Sequence, residues 1–287
     1  MIDAATSLRA ALDEATRTLA AAGIDEARLE ARHLIMAVLD LSLSQLVLRE
    51  KEPLGAKASA LNAVLARRSA REPLSRILGL REFRGLDFAL GSETLDPRLD
   101  TEVLVEAALE ALPSHQSPHL LDLGTGTGAI LLAMLHALPH ASGIGIDISD
   151  GAAAVAARNA ERLNLGGRAR FLVGDLFAPL APETRFEAIL SNPPYIPSRD
   201  LATLDPEVRL FDPARALDGG EDGLDFYRRI IAEAARFLTP GGLLAFEVGM
   251  GQDKDVADML AVAGYVRPKT RNDLSGIARV VFAHAPE

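Results

Sequence analysis

The chain has 287 residues, 48% of them hydrophobic, and a net charge of −10 from 30 basic and 40 acidic side chains. That content excludes a disordered chain and allows one large domain or two ordinary ones. The acidic balance argues against bare nucleic-acid binding, which rests on phosphate neutralisation. With no cysteine and six histidines in no metal-binding spacing, no metal is expected.

No run reaches the roughly 18 apolar residues of a membrane span. The N-terminus carries Asp3, Asp13 and Glu14 on a helical pattern, unlike a signal peptide with its basic start and unbroken apolar run. A cytoplasmic protein without membrane contact is therefore expected.

Along the chain, Leu8, Ala11, Leu12, Ala15 and Leu19 recur at helical spacing until Gly23 stops the run. Further helices are predicted after Asp25 to Leu39, at Leu43 to Leu48, and from about Ala56 to Arg71, where Pro73 ends them. Arg67, Arg68, Arg71, Arg76, Arg81 and Arg84 gather here and read as a solvated helix face rather than a nucleic-acid patch. Phe83, Leu86, Phe88 and Leu90 among glycines suggest a β-hairpin, and Thr101 is expected to cap a helix through Leu112.

Strands and helices then alternate. Six strands are read at "HLLDLG", "SGIGID", "RFLVGD", "FEAILSN", "LLAFEVG" and "ARVVFAH". The intervening helices are "AILLAMLHAL", a stretch after Ser149 to about Leu163, Asp225 to Leu238, and Asp253 to Ala263. "PGG" is expected to turn the chain into the fifth strand. Such alternation calls for an α/β fold with a mostly parallel sheet and helices on both faces.

The first of these strands runs into "DLGTGTG", with Gly124, Gly126 and Gly128 before a helix. Glycines there let the backbone turn tightly and approach a ligand. The spacing differs from the G-x-G-x-x-G of dinucleotide binders, which disfavours a dehydrogenase, and the P-loop lysine is missing. Asp147 ends the second strand, where an acid can hold a ribose diol, and Asp175 ends the third, within reach of an adenine amino group. A lone Asp at a strand end is usually a turn residue, but these strand ends converge on one crevice. The pattern points to an adenosine-containing cofactor.

The fourth strand ends in Asn192-Pro193-Pro194-Tyr195. Two prolines donate no backbone N–H and fix the direction of the Pro193 carbonyl between them. An amide nitrogen is a poor nucleophile because its lone pair is delocalised. The Asn192 side-chain oxygen and the Pro193 carbonyl would accept its N–H groups as that lone pair localises, and Tyr195 would offer a ring face to the developing cation. The motif alone fits either a glutamine amide or an adenine amino nitrogen.

In this order "DLGTGTGAI", Asp147, "GD" and "SNPPYI" resemble the class I S-adenosylmethionine-dependent methyltransferases. Supporting marks are "EPLSRILG", "PR..TE", "FDPARAL", "FEVG" and "DLSGIAR". The whole set is similar to the protein-(glutamine) methyltransferases that modify peptide chain release factors. The resemblance implies a Rossmann-like domain with a mostly parallel seven-stranded sheet over residues 97–287. It adds a small all-α N-terminal bundle for substrate recognition over 1–78 and a β-hairpin linker over 79–96. It implies S-adenosyl-L-methionine held by Asp122, Gly124, Thr125, Gly126, Thr127, Gly128, Asp147, Asp175, Leu176 and Asn192. Leu176 would form an apolar wall for the adenine.

Asn192, Pro193 and Tyr195 would be catalytic, and the substrate would meet Asn192, Pro193, Pro194, Tyr195 and Glu247. For Glu247, a solvent-facing strand terminus is the competing reading. Thr101 and Glu102 would reach back towards the cofactor, although Leu99 and Asp100 replace a proline and a glutamate of the family's P-R-P-E-T-E segment. The implied substrate is the glutamine of a Gly-Gly-Gln loop in a translation release factor, acted on by a monomer with no direct nucleic-acid binding. Alternatives are a ribosomal-protein glutamine methyltransferase, an adenine-N6 DNA or RNA methyltransferase, and a nucleotide-binding adaptor without chemistry.

Overall fold

A computed structural model describes residues 2–112 and 117–287. The chain divides into two compact units, residues 1–79 with 206–211, and residues 80–205 with 212–287.

The first unit is helical. Its helices are α1 (Leu8–Ala21), α2 (Ala27–Leu39), α3 (Leu43–Leu48), α4 (Ala58–Ser69) and α5 (Leu74–Leu78). In α1 the Ser7 side chain caps the first turn by accepting from the Ala10 N–H, and Leu8, Ala11, Ala15 and Leu19 turn inward. They join Leu34 and Ile35 of α2 and Leu61 and Leu65 of α4 in one apolar core. Among the arginines of this region Arg67 is exposed, but Arg68 does not belong to a solvated face. Arg68 is 6% exposed and pairs with Glu30 and Glu207, while Arg67 pairs with Glu72 and Arg71 with Glu207. A buried guanidinium needs such partners, and the acids that supply them stand far away in sequence.

The second unit opens with a hairpin, β1 (Leu80–Phe83) and β2 (Leu86–Ala89), turned at Arg84 and Gly85, both at positive φ. Its Phe83 and Phe88 are fully buried in this unit's core. Next come α6 (Thr101–Ala111), β3 (His119–Leu123), α7 (Ala129–Ala137), β4 (Ser142–Asp147), α8 (Asp150–Arg162), β5 (Ala169–Val173) and β6 (Phe186–Ser191). A single turn, α9 (Pro206–Arg209), falls in the segment grouped with the helical unit. The chain ends with α10 (Asp225–Ala234), β7 (Leu238–Glu247), α11 (Asp253–Val262), β8 (Val266–Asn272) and β9 (Ala278–His284).

The seven-stranded sheet runs β5-β4-β3-β6-β7-β9-β8, parallel through β7 and antiparallel at β9 and β8. Successive residues alternate between two cores: Leu120, Leu190 and Ala245 face one, packed with α6 and α7. Leu121, Ile189 and Leu244 face the other, packed with α10 and α11. The chain works outward from β3 to β5 and then crosses back to β6, so the adjacent ends of β3 and β6 form the topological switch point. Leu123 pairs with Ser191 there, and the Ser191 hydroxyl donates to the Leu123 carbonyl at 2.8 Å.

Four points of the expected fold need correction. The helix from Asp225 stops at Ala234 instead of Leu238, and "PGG" lies within β7, absorbed where the register shifts between Phe186 and Ala188. Thr101 is the first residue of α6 and not its cap; Asp100 precedes the helix, with no side-chain capping bond. The seventh strand, β8, was not placed. Its sequence VRPKTRN is charged and carries a proline, which only an edge strand such as this one tolerates.

Candidate active site

Gly124, Gly126 and Gly128 all take positive φ. A side chain at Gly124 would meet nothing within 4 Å, and one at Gly126 only the Gly124 carbonyl at 4.0 Å. At Gly128 it would press on Leu132 at 3.1 Å and Ala156 at 3.2 Å. The first two glycines therefore leave backbone open to a ligand, whereas the third lets α7 pack against α8.

Two carboxylates, the buried Asp122 and the half-buried Asp147, hold this loop. Asp122 accepts the Thr125 hydroxyl at 2.6 Å, and burial pushes it up to about 7, with the Thr125 hydrogen bond opposing. Asp147 accepts the Gly126 N–H and the Ser149 N–H, each at 2.9 Å, and burial raises it too. Asp175 accepts from Arg229 at 2.6 Å. Leu176 follows it at positive φ, an unusual conformation for a leucine.

These residues surround a cavity of about 330 Å³, within the range of small-molecule sites. Gly124, Thr125, Gly126, Thr127, Asp147, Asp175 and Leu176 line it, with Asn192, Pro193 and Pro194. Asp122 and Gly128 support the loop without lining the cavity. Open glycine backbone, a carboxylate beyond the second strand and the apolar walls of Ile130, Ile148 and Leu176 fit an adenosine-type cofactor. Glu93, Arg215, Phe226 and Arg229 also line it and went unassigned in the sequence. Arg215 had a signal, since it lies inside "FDPARAL". Its guanidinium donates to Glu93 at 2.7 Å, and Glu93 in turn accepts the Ser149 hydroxyl. Arg229 and Phe226 sit on a helix face with no motif.

At the end of β6 the Asn192 side-chain nitrogen donates to the Thr101 hydroxyl at 3.2 Å. The Pro-Pro-Tyr corner is braced from outside. Gln252 donates to the Tyr195 carbonyl at 2.9 Å, and Gly219 donates to the Ile196 carbonyl at 2.8 Å. A side chain at Gly219 would lie 2.8 Å from both the Pro194 carbonyl oxygen and the Tyr195 Cα. The Tyr195 ring packs against the second core, and burial raises its phenol. It is not among the residues lining the cavity.

Glu247 is not a solvent-facing strand terminus: it is 1% exposed. Nor does it line the cavity. Burial pushes it up to about 7, opposed by the neighbouring Thr101 and Asn192 side chains, with Asp100 and Arg279 nearby. Thr101 lines the cavity. Glu102 instead accepts the Arg84 N–H at 3.0 Å, on the hairpin. Among the described residues no cluster of acids and histidines is arranged to hold a metal, and no helix is long and apolar enough to cross a membrane.

Comparison with known proteins gives two family matches, the PrmC N-terminal domain over residues 10–79 and the methyltransferase small domain over 98–217. A release factor glutamine methyltransferase of Rhodospirillum rubrum is 51% identical over 95% of this chain and 83% of its own length. One from Cereibacter sphaeroides is 45% identical over 99% of each chain. A solved methyltransferase of Pyrococcus furiosus, 18% identical, covers 80% of this chain and 100% of its own with a TM-score of 0.52, a likeness of fold.

Proposed function

The chain belongs to the release factor glutamine methyltransferase family, and from that premise we propose that it methylates the side-chain amide nitrogen of a glutamine in a translation release factor. The methyl donor is S-adenosyl-L-methionine, which when bound supplies an electrophilic methyl group on a sulfonium sulfur.

The open backbone of Gly124 and Gly126 and the Asp147 carboxylate would hold that donor, with Leu176 against its adenine. Asp175 would bind the adenine edge, and its contact with Arg229 supports that role. One observation carries the reading of the reacting centre. Asn192 opens onto the same cavity as the glycine loop while its nitrogen is engaged by Thr101, so its oxygen is left to accept. An acceptor there draws on one N–H of the substrate amide and favours the localised lone pair that attack requires. The Pro193 carbonyl would take the second N–H, and the braced corner holds both acceptors before the substrate arrives. Tyr195 stiffens the corner from the core side. The product nitrogen, cationic after transfer, is acidic enough to release its proton to water.

The finer assignment is the glutamine of a Gly-Gly-Gln loop, presented by a release factor that the helical unit helps to grip. The test offers purified release factor, a ribosomal protein and DNA together with labelled S-adenosylmethionine. Label is expected on the release factor; label on adenine would overturn the proposal.

A further inference from the structure

The structure assigns a part in the reaction to two residues set beside Asn192: Thr101 and Glu247 fix which way round the Asn192 carboxamide sits, so that its oxygen rather than its NH2 meets the substrate. This rests on the reading of Asn192 as the acceptor for the substrate amide.

The two ends of a carboxamide have almost the same shape and opposite hydrogen-bonding character. Turned over, Asn192 would aim two donors at a substrate group that is itself an N–H donor, and the corner would repel what it must polarise. Neither the prolines nor the strand can choose between the two orientations, since the backbone is the same in both. The choice has to come from what the far side of the amide touches.

On that side stands a hydroxyl followed by a carboxylate. Asn192 Nδ2 lies 3.2 Å from Thr101 Oγ1, and Glu247, which follows Phe246 as Asn192 follows its paired Ser191, sets its buried carboxylate close enough for Thr101 and Asn192 to stabilise the anion. A hydroxyl that donates to a carboxylate has only lone pairs left for a third group, and an ionised carboxylate has nothing but lone pairs. Both neighbours therefore demand the NH2 end. The polarity of the array originates in the charge of Glu247 and reaches Asn192 directly and through Thr101.

Glu247 is costly to keep where it is. It is 1% exposed, and its Oε2 has no hydrogen-bond partner among the described residues. Burying a carboxylate is unfavourable, and a glutamine of the same shape would remove the charge. Asp100 and Arg279 face it from the start of α6 and from β9, with Tyr195 from the corner and Tyr227 from α10. The Tyr227 hydroxyl is committed to the Glu247 backbone carbonyl at 2.8 Å and does not offset the side-chain charge. On protonation, the carboxyl gains a donor that the Asn192 oxygen can turn to meet. Burial places that event at about 7, so the array loses its polarity as pH falls through the neutral range.

The experiment uses the full-length enzyme with a release factor substrate and the variants Asn192→Ala, Glu247→Gln, Thr101→Val and Thr101→Ser. Glu247→Gln should lower kcat about 100-fold, comparable to losing one preorganised hydrogen bond at a reacting centre. Affinity for S-adenosylmethionine, read by calorimetry, should stay within about threefold. Its unfolding midpoint at pH 8 should be no lower than that of the parent, which separates a positioning role from a structural one. The acidic limb of the parent kcat–pH profile should be missing. Thr101→Val should lose turnover and Thr101→Ser should restore it, and this pair carries the test if Glu247→Gln does not fold.

Full turnover in both Glu247→Gln and Thr101→Val, with Asn192→Ala inactive, would overturn this inference and leave the acceptor role of Asn192 standing. An unchanged acidic limb in Glu247→Gln would overturn it equally. An active Asn192→Ala would remove both readings together.

Discussion

The two ends of the cavity are built in opposite ways. At the glycine loop the ligand-facing surface is backbone: Gly124 and Gly126 stand open, and carboxylates from two strand ends hold the loop by its own N–H and hydroxyl groups. At the β6 end the proposed working surface is one side chain and one carbonyl, braced by neighbours from outside the strand, among them Thr101 against Asn192 and Gly219 and Gln252 against the residues that follow. A backbone cradle tolerates change in the side chains around it. A side-chain acceptor depends on each neighbour that determines its direction. The difference predicts that substitutions at the β6 end act on turnover, and those at the loop on affinity or stability.

The largest effect is expected at Asn192. Asn192→Ala should reduce turnover by about 1,000-fold while binding of S-adenosylmethionine changes far less. Equal losses in both quantities would erase the distinction between the two ends.

Glu247→Gln is next, and it sharpens the comparison because activity and stability should move in opposite directions. Burial lifts Asp122 and Glu247 from 3.8 and 4.5 to about 7. Between those values the folded chain keeps protons that the unfolded chain has lost. The raised groups therefore favour the fold near pH 5, and that contribution is withdrawn as pH rises to about 7. Denaturant titrations at pH 5 and pH 8 should show a smaller loss of stability across that interval in Glu247→Gln than in the parent. The difference should be on the order of 2–3 kcal/mol. Parallel curves would mean that Glu247 is ionised throughout.

At the loop, Asp147→Ala should weaken S-adenosylmethionine binding about 10- to 100-fold. Turnover at saturating donor should be nearly unchanged. The smallest effect belongs to Gly128→Ala, which should cost about 1–2 kcal/mol of stability through its left-handed backbone and its contacts with Leu132 and Ala156. A loss of donor affinity with stability intact would place Gly128 in the cradle instead.

The same contrast explains what could be read from the sequence. The loop and the Asn-Pro-Pro-Tyr corner are contiguous, and each sits at a strand end that alternation alone locates, so both were legible. Asp175 was legible too, but its pairing with Arg229 was not, because that arginine lies on a helix with no motif. Thr101 read as a helix cap from its position, and only packing reveals that its hydroxyl faces Asn192. Glu247 ends an apolar strand, where exposure and burial look alike in sequence. The edge strand β8 escaped because its charge and proline are what keep an edge from pairing further.

The central claim is that this corner delivers a methyl group to an amide nitrogen. It is tested most directly by tandem mass spectrometry of a release factor after reaction with isotopically labelled S-adenosylmethionine, alongside the Asn192→Ala enzyme. One labelled methyl is expected on the side-chain nitrogen of a single glutamine, and none with the variant. A methyl on any other residue type, or equal labelling by Asn192→Ala, would contradict it.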